Sequence, residues 1–270
     1  VFERNEIFIE LSMNTSSIEK FFLKNGFYKF KINKKKLDTL KKYLIKNIKS
    51  KTKKNNINLE NFHNIYEVKN LNNLRLDLYY LINEDSFFKN QLFEIAKDYI
   101  YEFVGSELAT SNINLSIQYP KDETSLLDIH ADFFAGESLF QINLWLPFVD
   151  VKKTNSMFII NPKNSLQLLE KFNKKEINFN IIKKLSKNKI KWLNVKFGEC
   201  LLFSSNCLHG NSTNKEKTTR WSINVRYKNL YSPYSQNLYN DKKLGVFYKR
   251  LDTKLMTKFN LEYDFDKFKI

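Results

Sequence analysis

The spacing of apolar positions along this chain changes once, near Asn112. Before that point it is helical. Leu37, Leu40, Tyr43, Leu44 and Ile48 recur on one helical face, which predicts a helix over 34–48 with its lysines in water. Residues 71–81 read as a second helix. Residues 86–104 read as a third, with Phe87, Phe88, Leu92, Ile95, Tyr99 and Phe103 on the expected period. Ahead of these, 16–22 forms a short helix capped by Thr15 or Ser16, 26–32 alternates as a strand, and the polar stretch 51–56 is a loop.

After Asn112 the apolar segments are short and alternating, with Pro, Gly and Asn between them. Strands are predicted at 115–119, 127–133, 139–148, 156–160, 193–197, 200–204 and 218–227. A Lys-rich, mostly helical insertion, 166–189, interrupts them, and a turn-rich stretch after Pro233 leads to a helix near 250–259. So many short strands in so little chain predict a mainly β sandwich or jelly roll, not a parallel α/β sheet.

Composition changes this picture little. At 270 residues and 42% hydrophobic, the chain can bury a real core. No apolar run approaches the ~18 residues of a membrane span. The first residues, Val1-Phe2-Glu3-Arg4, have no secretory signal pattern, and Cys200 and Cys207 do not make a disulfide framework. Together these point to a cytoplasmic protein with reduced thiols. The net charge of +16 raises the question of nucleic acid. The positive charge is nearly all Lys, however, whereas phosphate and base recognition favours the Arg fork. A solvated Lys-rich surface accounts for it, and the few arginines (Arg4, Arg75, Arg220, Arg226 and Arg250) mark places where fork geometry is needed.

The candidate chemistry lies in His130-Ala131-Asp132 and in His209. On a strand, His130 and Asp132 share a face. A second imidazole from another strand would complete a two-His, one-carboxylate site with open positions, as in non-haem Fe(II) oxygenases. Downstream, Arg220, Ser222, Asn224 and Arg226 alternate with Trp221, Ile223 and Val225. That polar face either meets solvent or receives an anion, for which a guanidinium beside a hydroxyl suits a carboxylate. Gln141, Asn143 and Trp145 share one face of a neighbouring strand, and Gln118 lies on another; each is a ligand contact or a satisfied structural group. Arg226 is a second anion contact or half of an ion pair. Trp221 and Cys207 read as packing, Glu137 as a loop residue and His63 as an ordinary loop or core residue.

These residues resemble a family. His130-x-Asp132, His209 and Arg220-x-Ser222 look like the Fe(II)/2-oxoglutarate-dependent dioxygenases, and Phe197-Gly198-Glu199 resembles their Gly-acid turn. The stretch from Asn155 to Ser165 is similar to the N-G-x-L-x-x-x-P-G-S segment of the phytanoyl-CoA hydroxylase-like branch. It departs from that pattern at Ser156 and Lys163. His209-Gly210, Asn214, Thr219-Arg220-x-Ser222 and Arg226 resemble bacterial members encoded among carbohydrate and surface-polysaccharide genes. The resemblance implies a double-stranded β-helix (jelly roll) core with N-terminal and inserted helices packed outside. It implies a single oxygenase domain over 1–270: a helix-rich region at 1–110, the core at 111–230 with a helical insertion at 163–190, and an extension at 231–270.

It also implies Fe(II) held by His130, Asp132 and His209. The co-substrate 2-oxoglutarate would pair its far carboxylate with Arg220 and Ser222, with Gln118, Asn143 and Arg226 as further cofactor contacts, and O2 would be the oxidant. The expected activity is hydroxylation of a small polar metabolite, a sugar or sugar nucleotide; Asp132 would occupy the position a halide needs in a halogenase. The alternatives are an AlkB-like nucleic-acid dealkylase, suggested by the Arg-x-Ser-x-Asn-x-Arg run and the basic surface, and a cupin-type metalloprotein or binding module that does not use 2-oxoglutarate. The first arginine follows His209 sooner than in the dealkylases, and an intact triad argues against a binding module. The N-terminal helices and the insertion are expected to wall the substrate pocket.

Overall fold

In the computed structural model, which describes residues 16–234 and 241–263, the elements run α1 (Ser17–Asn25), β1 (Phe27–Lys31), α2 (Lys34–Thr52), α3 (Leu71–Glu84), α4 (Ser86–Val104), β2 (Leu108–Thr110), β3 (Asn114–Gln118), β4 (Gln141–Pro147), β5 (Phe158–Ile159), α5 (Pro162–Asn173), α6 (Phe179–Ser186), β6 (Lys191–Trp192), β7 (Glu199–Ser204), β8 (His209–Gly210), β9 (Arg220–Asn229), β10 (Lys249–Asp252) and α7 (Leu255–Tyr263). Short 3-10 turns join several of them. Side-chain caps start α1, α2 and α4. The Ser16 hydroxyl accepts from the Glu19 amide at 3.1 Å, Asn33 Oδ1 from Lys35 and Lys36, and Asp85 Oδ1 from Phe88 at 2.9 Å. Each cap satisfies an amide that the first helical turn leaves without a carbonyl. In α2 the residues on the predicted stripe, Leu37, Leu40, Leu44 and Ile48, are buried, and the lysines face outward.

Two antiparallel sheets carry the rest. The larger has strands in the order β1-β7-β4-β9-β2-β10, with β3 also paired to β9; the smaller is β6-β5-β8. Strand β9 organises the larger sheet. Its residues 222–228 pair with β4, while on its other edge β3 pairs with the first half and β2 with the last three residues. Side chains alternate along β9, so its two faces differ. Trp221, Ile223, Val225 and Tyr227 join the main core, where Phe62 meets Trp221 at 5.2 Å and Phe93 of α4 meets Tyr227 at 6.1 Å. The N-terminal helices therefore cover the apolar face of the sheet. The opposite face carries Arg220, Ser222, Asn224, Arg226 and Lys228.

The insertion packs elsewhere. Leu168 of α5 and Ile182 of α6 join Ile129, Ala131, Phe158, Ile160 and Leu208 in a second apolar cluster, so these helices brace the smaller sheet and the segment leading to Asp132.

Three predicted elements differ. Residues 127–133 form no strand: only His130 pairs, with His209, and Asp132–Ala135 is a 3-10 turn closed by Gly136 at φ +77°. Residues 193–197 make only the Val151–Val195 bridge before the chain turns at Gly198. Arg250 lies in β10, paired with Ala109, so the last helix begins at Leu255. Strands β2 and β10 are too short to show a period. Thr15 and residues 235–240 of the turn-rich stretch lie outside the described residues. No helix among the described residues is long and apolar enough to cross a membrane.

Candidate metal centre and anion pocket

Backbone pairing, not a continuous strand, brings the triad together. His130 and His209 exchange both main-chain hydrogen bonds, at 2.9 and 2.8 Å, and the Asp132 amide donates to Ser205 O at 2.9 Å. This docks the 130–132 segment against the turn that precedes β8. Gly210 permits the approach. A Cβ there would stand 2.7 Å from Leu127 O and 3.0 Å from Asp128 O, closer than real side chains come. With Ala131 extended, at φ −122° and ψ 139°, His130 and Asp132 still point the same way, as strand alternation predicts, although only one residue between them is extended.

The resulting cluster is tight. The ligand atoms of His130, Asp132 and His209 all lie within 4.8 Å of one another. His130 Nε2 and His209 Nε2 stand 3.4 and 3.5 Å from the same oxygen, Asp132 Oδ1. The outer nitrogens fix the tautomers. His130 Nδ1 donates to Asp128 O and His209 Nδ1 to Cys207 O, each at 2.8 Å. A carbonyl can only accept, so the proton of each neutral ring sits on Nδ1 and the Nε2 lone pair points inward. Two imidazole lone pairs and a carboxylate oxygen thus converge on one point. That donor set fits a divalent transition metal with positions left open. Burial raises the Asp132 carboxyl, but the two imidazoles and Arg226 outweigh it and hold it well below the usual carboxylate range.

The other Asp132 oxygen is held from behind. Asn143 Nδ2 donates to Oδ2 at 2.7 Å, and Arg226 Nη2 stands 3.4 Å away. Arg226 also pairs through Nε with Glu137, so it is an ion-pair residue with two carboxylates. Glu137 is not the ordinary loop residue that its place in the sequence suggests: it is 8% exposed, and Gln141 Nε2 donates to it at 2.7 Å. Sequence reasoning had no signal for it, because the Gly136 turn that aims it inward depends on the docked 3-10 turn.

Arg220 is the contrasting case. It is 3% exposed, and among the described residues no carboxylate pairs with it. Nη2 donates to Ser116 Oγ at 2.9 Å and Nη1 to Ser156 O at 3.4 Å, while Nε has no partner there. Burial, and then the nearby Arg75, lower its pKa to about 10. Ser222 Oγ, two residues along the same face, is buried and also lacks a partner among the described residues. Facing them across the ladder, Gln118 is opposite Arg220 and Ser116 opposite Ser222. The Gln118 amide nitrogen is tied to Ser212 O at 2.8 Å, and its Oε1 is unpaired there, as is Asn143 Oδ1. A buried guanidinium and a hydroxyl with spare donors, and no carboxylate beside them among the described residues, are chemistry that suits a carboxylate ligand.

Every candidate site residue lies on this inner surface or at its edge. Ser116, which holds Arg220, is the contact the sequence did not single out. Its alternating strand position was the available sign. Trp221 and Cys207 are packing groups, 0% and 3% exposed. His63 sits at the far edge, its Nδ1 2.8 Å from Thr219 Oγ1.

No sequence family and no curated protein matches the chain. Its fold is similar to that of several solved structures. The non-heme monooxygenase ThoJ in complex with nickel is 12% identical, with a TM-score of 0.56 over 93% of this chain and 95% of that one. HygX from Streptomyces hygroscopicus, with nickel and 2-oxoglutarate bound, is 12% identical, with a TM-score of 0.50 over 82% and 89%. EctD from S. alaskensis, in its apo form, is 13% identical, with a TM-score of 0.57 over 87% and 84%. At such identities the likeness is one of fold, an antiparallel sheet-rich architecture with helices outside, and it spans most of the chain.

Proposed function

We propose that this chain is a non-haem Fe(II), 2-oxoglutarate-dependent oxygenase that hydroxylates a small polar metabolite of the sugar or sugar-nucleotide kind. The observation that carries the reading is the pairing of two features on one buried surface: three converging lone-pair donors, and a buried arginine with no counterion. ThoJ and HygX, similar in fold, are structures of a nickel-bound monooxygenase and of a protein holding nickel with 2-oxoglutarate. His130, Asp132 and His209 are the metal ligands in this reading. Arg220 and Ser222 take the far carboxylate of 2-oxoglutarate, with Gln118 and Asn143 as neighbouring polar contacts. Arg226 acts on the site through Asp132. When bound, the iron with 2-oxoglutarate and O2 supplies oxidation of an unactivated C–H bond, coupled to decarboxylation of the co-substrate.

The protein's own tasks are orientation and exclusion of water. Asp128 O and Cys207 O hold the imidazoles in the ligating tautomer. Asn143 and Arg226 keep the outer Asp132 oxygen occupied, so the inner one faces the metal. The buried Arg220 gains most from a carboxylate because its surroundings are dry. The reading extends to a double-stranded β-helix core at 111–230 within one domain over 1–270, and to a cytoplasmic location. The carbohydrate substrate rests on motif similarity.

The test is anaerobic titration of the apo-protein with Fe(II) and 2-oxoglutarate, watching for the visible charge-transfer band of the chelate. Wild type gives a band. Asp132→Ala gives none, and Arg220→Ala needs at least about 100-fold more 2-oxoglutarate, the cost of a lost buried charge-assisted pair. A folded, iron-loaded wild type without the band overturns the 2-oxoglutarate reading.

A further inference from the structure

Behind Asp132 runs a closed set of buried ion pairs and hydrogen bonds that the chemistry above does not use. Arg226 touches Asp132 on one side and Glu137 on the other. Gln141 Nε2 donates to Glu137 Oε2 at 2.7 Å. The Gln141 carbonyl accepts from the Tyr248 hydroxyl at 2.6 Å, and that oxygen accepts from the Ser138 amide at 3.0 Å. Ser138 follows Glu137, so the path returns to where it began. Tyr248 is fully buried, and it belongs to the segment beyond the described gap, whose strand β10 joins the edge of the larger sheet.

Each contact fixes the next. The Tyr248 hydroxyl can give its proton to only one acceptor, and the Ser138 amide occupies its oxygen, so the donor is directed at Gln141. That sets which end of the Gln141 amide faces Glu137. A Glu137 held in this way keeps its charge on the Arg226 guanidinium. Without that charge, Arg226 would turn its whole field on Asp132, competing with a metal for the carboxylate and repelling a second cation beside it. With it, the cation is shared between two carboxylates.

We propose that Glu137 is a positioning residue that sets the metal affinity of the triad through Arg226, and that Tyr248 and Gln141 hold Glu137 in place for this. The proposal rests on the metal-site reading above. It makes the C-terminal segment a determinant of the metal centre, although it supplies no ligand among the described residues.

Co(II) titration of the apo-protein, followed by its visible bands, tests this. Glu137→Gln is expected to weaken Co(II) about 10-fold, the low end of what lost support around a metal ligand costs. Tyr248→Phe weakens it measurably but less, because Glu137 itself remains. The double variant matches Glu137→Gln alone, because the hydroxyl acts only through the carboxylate. Binding of 2-oxoglutarate to the Co(II)-saturated variants stays at the wild-type level, which general damage to the fold would not leave intact. Wild-type Co(II) affinity in Glu137→Gln, or losses that multiply in the double variant, overturn the proposal. Should Glu137→Gln not fold, Tyr248→Phe decides alone, and wild-type affinity there overturns it. A wild type that takes up no Co(II) overturns the metal reading and this inference together. A wild type that takes up Co(II) but not 2-oxoglutarate overturns only the co-substrate reading and leaves the Co(II) comparison to decide this one.

Discussion

The two arginines on the inner face of β9 are six residues apart in one strand, both almost fully buried, and opposite in their surroundings. Arg226 lies between two carboxylates, which raise its pKa despite the burial that opposes them. Arg220 has two neutral oxygens and no carboxylate among the described residues, and burial lowers its pKa to about 10. Burial of charge is costly unless it is paired. On the proposed reading, the second pairing is left for the far carboxylate of 2-oxoglutarate. The same division runs along the face. Lys228, beyond Arg226, has its ammonium capped by Asn229 O and Ser232 O at 2.7 Å each, whereas Ser222, beside Arg220, has an idle hydroxyl.

Substituting each arginine breaks this comparison in opposite directions. Arg226→Met leaves Asp132 and Glu137 buried together without their cation, and urea unfolding should show a loss of about 3–5 kcal/mol. Arg220→Met removes an uncompensated charge, so the ligand-free protein should lose nothing and gain on the order of 1 kcal/mol. A loss at Arg220 as large as at Arg226 would show that Arg220 is structural. The same variant should lose the stabilisation that 2-oxoglutarate gives the metal-loaded wild type, about 2.7 kcal/mol at a hundred times its dissociation constant.

Ser222→Ala sharpens the picture within the open end. Its hydroxyl has no partner to lose among the described residues, so stability should hold. Affinity for 2-oxoglutarate should fall by about 1 kcal/mol, the value of one hydrogen bond, measurable by calorimetry.

The effect at Lys228 is one of pH. Burial lowers its pKa from 10.5 to about 8. Between those values the unfolded chain holds a proton that the folded chain has released, so stability rises with pH there. Unfolding of wild type and Lys228→Met compared from pH 8 upward should show the gap moving in favour of wild type. A constant gap would mean that the ammonium keeps its proton in the fold.

Much of this was legible in the sequence because the relevant periods are local. The helices at Lys34–Thr52 and Ser86–Val104 follow from apolar spacing alone, since a helix sets its buried stripe by residues three and four apart. The alternation from Arg220 to Arg226 revealed a polar strand face for the same reason, with period two in place of 3.6. The short pieces were not legible. Residues 127–133 alternate well enough for a strand, yet only His130 forms a β-bridge, because β8 beside it is two residues long. Glu137 looked like loop surface because the turn that buries it is closed by contacts from Gln141 and Tyr248.

By itself the sequence determined which chemistry is present: two imidazoles and a carboxylate for a metal, and an arginine and a hydroxyl on one strand face. It also determined the helices around them, since these depend on neighbours along the chain. Only the tertiary structure decided which charges are matched. Arg220 and Arg226 differ not in residue type or strand parity but in what the rest of the chain brings beside them. The 3-10 turn after Ala131 carries Asp132 and Glu137 to one arginine, while β3 and the Ser156 backbone bring only neutral oxygens to the other. Electrostatic pairing depends on distance through space, and residues separated by up to 104 positions meet here only after the sheet has formed.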